Sequence, residues 1–178
     1  NALAAVAAAS LAGVPLQVAA DALRSYEGIY RRNQVLGNKN GVWVVDDYAH
    51  KPVKCAAAIR SCQYSGDKVV AWLQPHGYTP TKFLRQDFVK EISEALRPQD
   101  EIWMSEIFYA GGTTTKDISA NDLIKDIKAN GKNAFFVKDR NQLLNKIRPH
   151  LSNGTVLLLM GARDPSLESF SKKLFEDL

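Results

Sequence analysis

Residues 42–52 read Val-Trp-Val-Val-Asp-Asp-Tyr-Ala-His-Lys-Pro, and this stretch decides the fold. The four apolar residues 42–45 predict a short strand covered on both faces, because such a strand needs no alternation of polar and apolar side chains. Pro52 suits the first turn of a helix, where the amide hydrogen that proline lacks has no partner to lose. The stretch therefore predicts a strand, a polar loop and a helix.

The polar loop contains a concentration of side chains that can bind a ligand or take part in catalysis. It places two carboxylates, a phenol, an imidazole and an ammonium group in rapid succession, at Asp46, Asp47, Tyr48, His50 and Lys51. In parallel α/β sheets, ligands bind beyond the carboxyl ends of the strands, so the loop predicts a binding site. The alternative interpretation is a solvated loop with a capping aspartate, and the stretch alone does not choose between the two.

Composition bounds the possibilities. The 178 residues suffice for one domain with a sizeable core. The net charge is +4, and the basic residues are scattered, which gives no argument for nucleic acid but tolerates an anionic ligand. Cys55 and Cys62 lie about two turns apart on a predicted helix, too far for a disulfide, and indicate reduced thiols in a cytoplasmic protein. No apolar run reaches the length of a membrane span.

The pattern of elements predicts an open, mostly parallel α/β sheet with helices on both faces. Two apolar helices, over residues 2–12 and 15–26, come first and must be buried against something, so we expect the chain to be a piece of a longer one. A hairpin follows, with glycines and asparagines between residues 36 and 42. Further strands at 69–73, 101–108, 134–137 and 156–160 then alternate with helices.

If the strands are parallel, their loops share one edge of the sheet, and the loops at 46–51, 74–81 and 161–165 are the richest in functional side chains. A zinc site from His50, His76 and an aspartate lacks ligand-type spacing. The loop 111–116 lacks the residue order of a phosphate-binding loop and is more simply an exposed linker. Arg163, before a helix predicted to begin at Pro165, can hold an anion, or Asp164 can simply cap that helix.

Five segments resemble, in order and spacing, the C-terminal part of the Mur ligase family. They are Asn-Ala-Leu-Ala-Ala-Val at 1–6, Arg-Arg at 31–32, Val-Asp-Asp-Tyr-Ala-His-Lys-Pro at 45–52, Gln-Pro-His at 74–76 and Met-Gly-Ala at 160–162. The closest branch is the UDP-N-acetylmuramate:L-alanine ligases, with murein peptide recycling ligases as the near alternative. The resemblance implies that residues 1–27 are the helical tail of a central ATPase domain. Residues 28–178 would then be a Rossmann-like C-terminal lid domain.

The family activity that this implies belongs to peptidoglycan precursor synthesis. ATP phosphorylates a carboxylate, and the amine of an amino acid or peptide attacks the acyl phosphate to give an amide. The partners implied are a UDP-muramoyl substrate and an amino acid or peptide, with neither nucleic acid nor membrane. ATP and Mg²⁺ would be bound mainly by the central domain, and we expect this piece to be inactive alone. A stand-alone nucleotide-binding α/β module is the alternative from another class.

The resemblance also implies roles for particular residues. Nucleotide contacts fall on Asn1, Arg32, Asp47 and Tyr48. His50 falls where the family contacts the incoming amino acid or nucleotide, and is the catalytic candidate; His76 and Tyr78 are the substrate-binding candidates, and no residue is assigned to a metal.

Four positions depart from the family pattern. Gly77 and Pro80 stand where the family has arginines, which removes two anion contacts. Lys51 replaces a common histidine, and Arg163 replaces a usual glycine. The departures bear on which substrate is bound.

Overall fold

The structure is a computed structural model that describes residues 2–178, so the expected role of Asn1 lies outside the described residues. The helices are α1 (Ala2–Leu11), α2 (Leu16–Arg24), α3 (Pro52–Cys62), α4 (Tyr78–Phe83), α5 (Arg85–Ala95), α6 (Ala120–Ala129), α7 (Leu143–Ile147) and α8 (Leu167–Asp177). The strands are β1 (Gln34–Lys39), β2 (Val42–Asp47), β3 (Lys68–Gln74), β4 (Glu101–Met104), β5 (Asn133–Phe136) and β6 (Thr155–Gly161). Short 3₁₀ turns, Arg140–Gln142 and Arg148–His150, flank α7.

The six strands form one sheet in the order β1-β2-β6-β3-β4-β5. All neighbours are parallel except β1 and β2, which form an antiparallel hairpin. Asn40 and Gly41 form its two-residue turn, both with positive φ, 55° and 80°, as a type I′ turn requires. The predicted mostly parallel sheet with an N-terminal hairpin strand is confirmed.

Helices cover both faces of the sheet. One apolar cluster packs α3, α5 and α6 against one face, and a second packs α7 and α8 against the other. Strands β3 and β6 run between the two layers and are buried almost throughout, which explains their unbroken apolar sequences. Trp72 and Trp103 lie in the core, and Trp43 is 44% exposed on the sheet face. Cys55 and Cys62 are buried free thiols, as predicted.

Several boundaries differ from the predictions. Strand β2 extends through Asp47, so both aspartates belong to the strand and not to the loop. The helical segment between β3 and β4 is two helices, α4 and α5, which meet at Leu84. Helix α8 begins at Leu167, because the Asp164 carboxylate accepts hydrogen bonds from the Ser166 amide and hydroxyl and holds residues 164–166 in a turn.

The two N-terminal helices stay exposed. In α1 and α2 only Ala19 is buried, and Leu3 and Leu11 are 87% and 91% exposed. The burial expected of these helices is therefore not found within residues 2–178. None of the helices in this part of the chain combines the length and apolar character needed to cross a bilayer.

Candidate functional site

Three loops meet at the carboxyl edge of the sheet, above β2, β6 and β3. These strands are neighbours and end level with one another, since Asp47 pairs with Met160 and Gln74 pairs with Gly161. The chain leaves β2 and β3 toward one face and leaves β6 toward the other, so a crevice opens between the loops. The convergence of the three loops expected to carry the chemistry is confirmed.

Arg31 forms buried hydrogen bonds at the carboxyl ends of β2 and β6. Its guanidinium donates to both carboxylate oxygens of Asp46, at 3.0 and 3.3 Å, and to the Gly161 carbonyl oxygen at 3.0 Å. Both side chains are almost fully buried, and burial raises the pKa of Asp46 although the Arg31 charge opposes the rise. The linker before β1 is thereby fastened across the ends of β2 and β6. The sequence interpretation gave Arg31 no role of its own.

Asp47, expected to contact a nucleotide, accepts hydrogen bonds from two backbone amides in this structure. One carboxylate oxygen accepts from the Asn33 amide at 2.6 Å and the other from the Ala49 amide at 2.7 Å. The residue is 8% exposed. Asp47 thus joins the linker to the loop after β2, and its role toward a nucleotide stays a prediction.

A cleft of about 550 Å³ opens between the linker, the loop after β2 and the loop after β6. It is lined by Ile29, Tyr30, Arg31, Arg32, Tyr48, Arg163, Asp164, Pro165 and Glu168. Tyr48 is half-buried, and the guanidinium carbons of Arg31 and Arg32 lie 5.4 and 5.5 Å from its ring centroid. Two of the predicted nucleotide contacts, Arg32 and Tyr48, are therefore together in one cleft.

The imidazoles of His50 and His76 lie side by side above the sheet edge, with ring centroids 5.3 Å apart. His50 Nδ1 lies 2.8 Å from the Tyr48 carbonyl oxygen, which only accepts, so Nδ1 carries the proton and Nε2 is left for another partner. Burial lowers the pKa of His76, and the charges of His50 and Arg163 lower it further. His76 is therefore neutral at physiological pH.

Tyr78 is the first residue of α4, two residues after His76. Its ring is 5.5 Å from that of Tyr109, and the Lys116 ammonium lies 4.9 Å from the Tyr109 ring and 5.9 Å from the Tyr78 ring. The sequence placed Tyr78 at a substrate site but did not pair it with this aromatic and cationic group.

Arg140 is a second arginine that the sequence interpretation missed. It donates to Gln74 Oε1 at 2.8 Å and to Ser166 Oγ at 2.6 Å, and it forms an ion pair with Asp164. These bonds join the ends of β3 and β6 and fix the loop that carries Arg163. No motif around Arg140 signals this role, because its partners are distant in sequence.

His150 is half-buried at the opposite edge. Its Nδ1 lies 3.0 Å from Glu101, and its ring packs edge-on against Trp103 and Phe135. Among residues 2–178, no three His, Cys, Asp or Glu side chains cluster as metal ligands would.

The family model described as "Mur ligase, glutamate ligase domain" matches residues 31–163, which begin at Arg31 and end at Arg163. The chain belongs to the Mur ligase family. The matched segment contains all six strands, the loops after β2 and β3, and the start of the loop after β6.

Relatives of this Mur ligase chain are longer than it is. A UDP-N-acetylmuramate–L-alanine ligase of Acetivibrio thermocellus is 34% identical over 166 residues, which cover 92% of this chain and 34% of that protein. A ligase of the same name from Caldanaerobacter subterraneus is 33% identical over 163 residues, or 91% of this chain and 35% of that protein. The chain therefore spans about a third of the length of these relatives.

Solved structures share the fold. The crystal structure of the UDP-N-acetylmuramate–alanine ligase MurC from Thermotoga maritima superposes with a TM-score of 0.74 at 26% identity, covering 99% of this chain and 36% of that one. The MurF ligase from Thermotoga maritima in complex with ADP gives a TM-score of 0.61 at 16% identity, covering 97% and 37%. At such low identity the second likeness supports the fold of this Mur ligase chain alone.

Proposed function

We propose that this chain is the lid of an ATP-dependent ligase that forms an amide bond between an amino acid and a UDP-muramoyl substrate. The observation that carries the proposal is the cleft in which Arg32 flanks the Tyr48 ring at the edge where α/β sheets bind ligands. The membership of the Mur ligase family and the names of the relatives support it.

The cleft has the chemistry that a nucleotide needs. A guanidinium pairs with phosphate oxygens through charge-assisted hydrogen bonds, and the Tyr48 ring offers an aromatic surface beside it. Arg32 lies on the linker and is exposed, so its charge reaches phosphate when the lid closes over another domain. Asp47 supports this arrangement by holding the linker and the Tyr48 loop together through Asn33 and Ala49.

The histidine pair has the chemistry that amide formation needs. An amine must lose a proton as it attacks a carbonyl carbon. The contact of His50 Nδ1 with the Tyr48 carbonyl oxygen orients the ring, and Nε2 of the neutral imidazole can accept that proton. His76 is kept neutral by burial and by neighbouring charge, and it can accept a hydrogen bond from substrate. Tyr78 then borders the substrate side, where the Lys116 ammonium lies over the aromatic rings.

The domain assignment is part of the proposal. Residues 1–27 form the helical tail of a central ATPase domain, and residues 28–178 form the lid. The exposed apolar side chains of α1 and α2 support this division, because a central domain would cover residues such as Leu3 and Leu11. We further propose that Mg²⁺ accompanies ATP and is held by that domain, and that the reaction takes place in the cytoplasm.

The test uses the full-length gene product that contains this chain, supplied with ATP and Mg²⁺. UDP-N-acetylmuramate with L-alanine tests the synthetic branch. Free murein tripeptide in place of L-alanine tests the recycling branch. Mass spectrometry of the amide product distinguishes the two. Residues 1–178 alone should consume no ATP with either acceptor.

A matched pair of variants tests the cleft itself. Arg32→Ala should raise the KM for ATP about ten-fold, since a charge-assisted hydrogen bond contributes roughly 1.5–3 kcal/mol. Arg60→Ala, an exposed arginine on α3, is the control and should leave the KM for ATP unchanged. If the full-length protein binds nucleotide but forms no amide with either acceptor, the stand-alone binding module is the better description.

A further inference from the structure

Arg163, between β6 and α8, has a backbone conformation that arginine rarely adopts. Its φ is +70°, in the left-handed region where a β-carbon is crowded and glycine is the favoured residue. Its side chain is exposed, so packing does not compensate for this conformation. A strained residue that persists at the rim of a site points to a role in binding.

The charges around Arg163 leave it available for a ligand. Arg31 is neutralised by Asp46, Asp164 by Arg140, and Glu168 pairs with Lys172 at 2.7 Å. Among the described residues, Arg32 and Arg163 are the two arginines lining the cleft that form no ion pair. The cleft therefore presents two free guanidinium groups to whatever enters it.

The loop that carries Arg163 adjoins the loop that carries His76, because β6 pairs with β3 up to Gly161 and Gln74. It follows β6, the strand between β2 and β3, so it lies between the Tyr48 cleft and the loop that carries His76. The positive charge of Arg163 also contributes to the lowered pKa of His76, after burial and the charge of His50. An anion bound by Arg163 would lie where the nucleotide and the histidines meet.

The loop after β3 lacks the positive charge that the family resemblance leads one to expect. Gly77 and Pro80 carry no charge, and Gly77 has a φ of +73° at the start of α4. The sequence thus has an added cation after β6 and two missing cations after β3.

We propose that Arg163 is a specificity-determining residue that binds a substrate oxyanion, a phosphoryl or carboxylate group, between the Tyr48 cleft and the histidine pair. This inference rests on the proposed ligase function. It assigns to the loop after β6 an anion contact that the loop after β3 does not make.

The experiment measures steady-state kinetics of the full-length gene product, varying ATP, the amino acid and the UDP-muramoyl substrate in turn. Arg163→Gly should raise the KM for one of them about ten-fold with a much smaller change in kcat. Arg163→Lys, which keeps a charge but loses the planar fork, should give an intermediate KM. A rise for ATP identifies a phosphoryl group as the anion, and a rise for the amino acid identifies a carboxylate.

Two controls make the result decisive. Lys138→Ala removes an exposed cation after β5 on the same sheet edge and should leave every KM unchanged. Arg163→Gly relieves the backbone and should raise the melting temperature, so weaker binding cannot be ascribed to unfolding. The inference is overturned if Arg163→Gly keeps every KM within two-fold, or if it lowers kcat alone. Absence of amide formation by the wild-type protein would instead refute the proposed function.

Discussion

Replacing Arg31 by alanine should destabilise the fold far more than the same change at its neighbour Arg32. Arg31 forms three buried hydrogen bonds, two to Asp46 and one to the Gly161 carbonyl oxygen, and the two charged side chains are 8% and 3% exposed. Removing one partner of a buried ion pair leaves an uncompensated charge and costs about 3–5 kcal/mol. Alanine keeps a β-carbon at φ +51°, so the backbone contribution is unchanged and the side chain alone is tested.

The measurement is equilibrium unfolding in urea, followed by tryptophan fluorescence, with thermal melts in parallel. A loss of 3–5 kcal/mol corresponds to a fall in melting temperature of roughly 6–20 °C for a chain of this size. Arg32 is exposed, so Arg32→Ala should stay within about 0.5 kcal/mol. Equal effects of the two substitutions, or a cost below about 1 kcal/mol for Arg31→Ala, would show that the buried pair does not fasten the linker.

The pH dependence of the Arg31 effect provides a second check. Burial already raises the pKa of Asp46, and removing the Arg31 charge should raise that pKa further. A raised pKa in the folded state contributes stability at low pH that is lost as the pH rises through the folded value. The deficit of Arg31→Ala should therefore be largest near neutral pH and should shrink on acidification. A deficit independent of pH would contradict this account.

Two further predictions concern stability. Folding lowers the pKa of His76 below its usual 6.5, so the protein loses stability as the pH falls from about 6.5 toward the pKa of the folded state. His76→Asn should remove this loss of stability in acid, measured as melting temperature against pH. Ser119 caps α6 by accepting from the Asn121 amide at 3.1 Å, and Ser119→Ala should cost about 1 kcal/mol in urea unfolding, whereas the exposed Ser61→Ala should cost little. A flat pH profile for both His76 proteins, or equal costs for the two serines, would contradict these assignments.

The sequence predicted the local elements well because their signals are local. The buried run at Val42 and the turn residues Asn40 and Gly41 each depend on nearby residues, and each is found in the structure. The convergence of the loops was predicted from parallel pairing alone. The order of the strands was not, because it depends on contacts between segments far apart in the chain.

The site was predicted in part. Arg32, Tyr48, His50 and His76 come together at one edge, yet the partner of Arg31 could not be deduced from two adjacent arginines. Alternation along a strand was a usable signal, since a strand that runs through Asp47 must point Asp46 and Asp47 to opposite faces. For Arg140 there was none, because its partners lie at the end of β3 and in the loop after β6, both distant in sequence.

The position of β6 has a consequence for how the chain folds during synthesis. It is the last strand in sequence but lies between β2 and β3, more than 80 residues after β3 begins. Before residues 155–161 leave the ribosome, the edges of β2 and β3 that later pair with β6 are unpaired. Such edges pair readily with other chains. We expect the carboxyl edge that carries the candidate site to form late, when β6 inserts between β2 and β3.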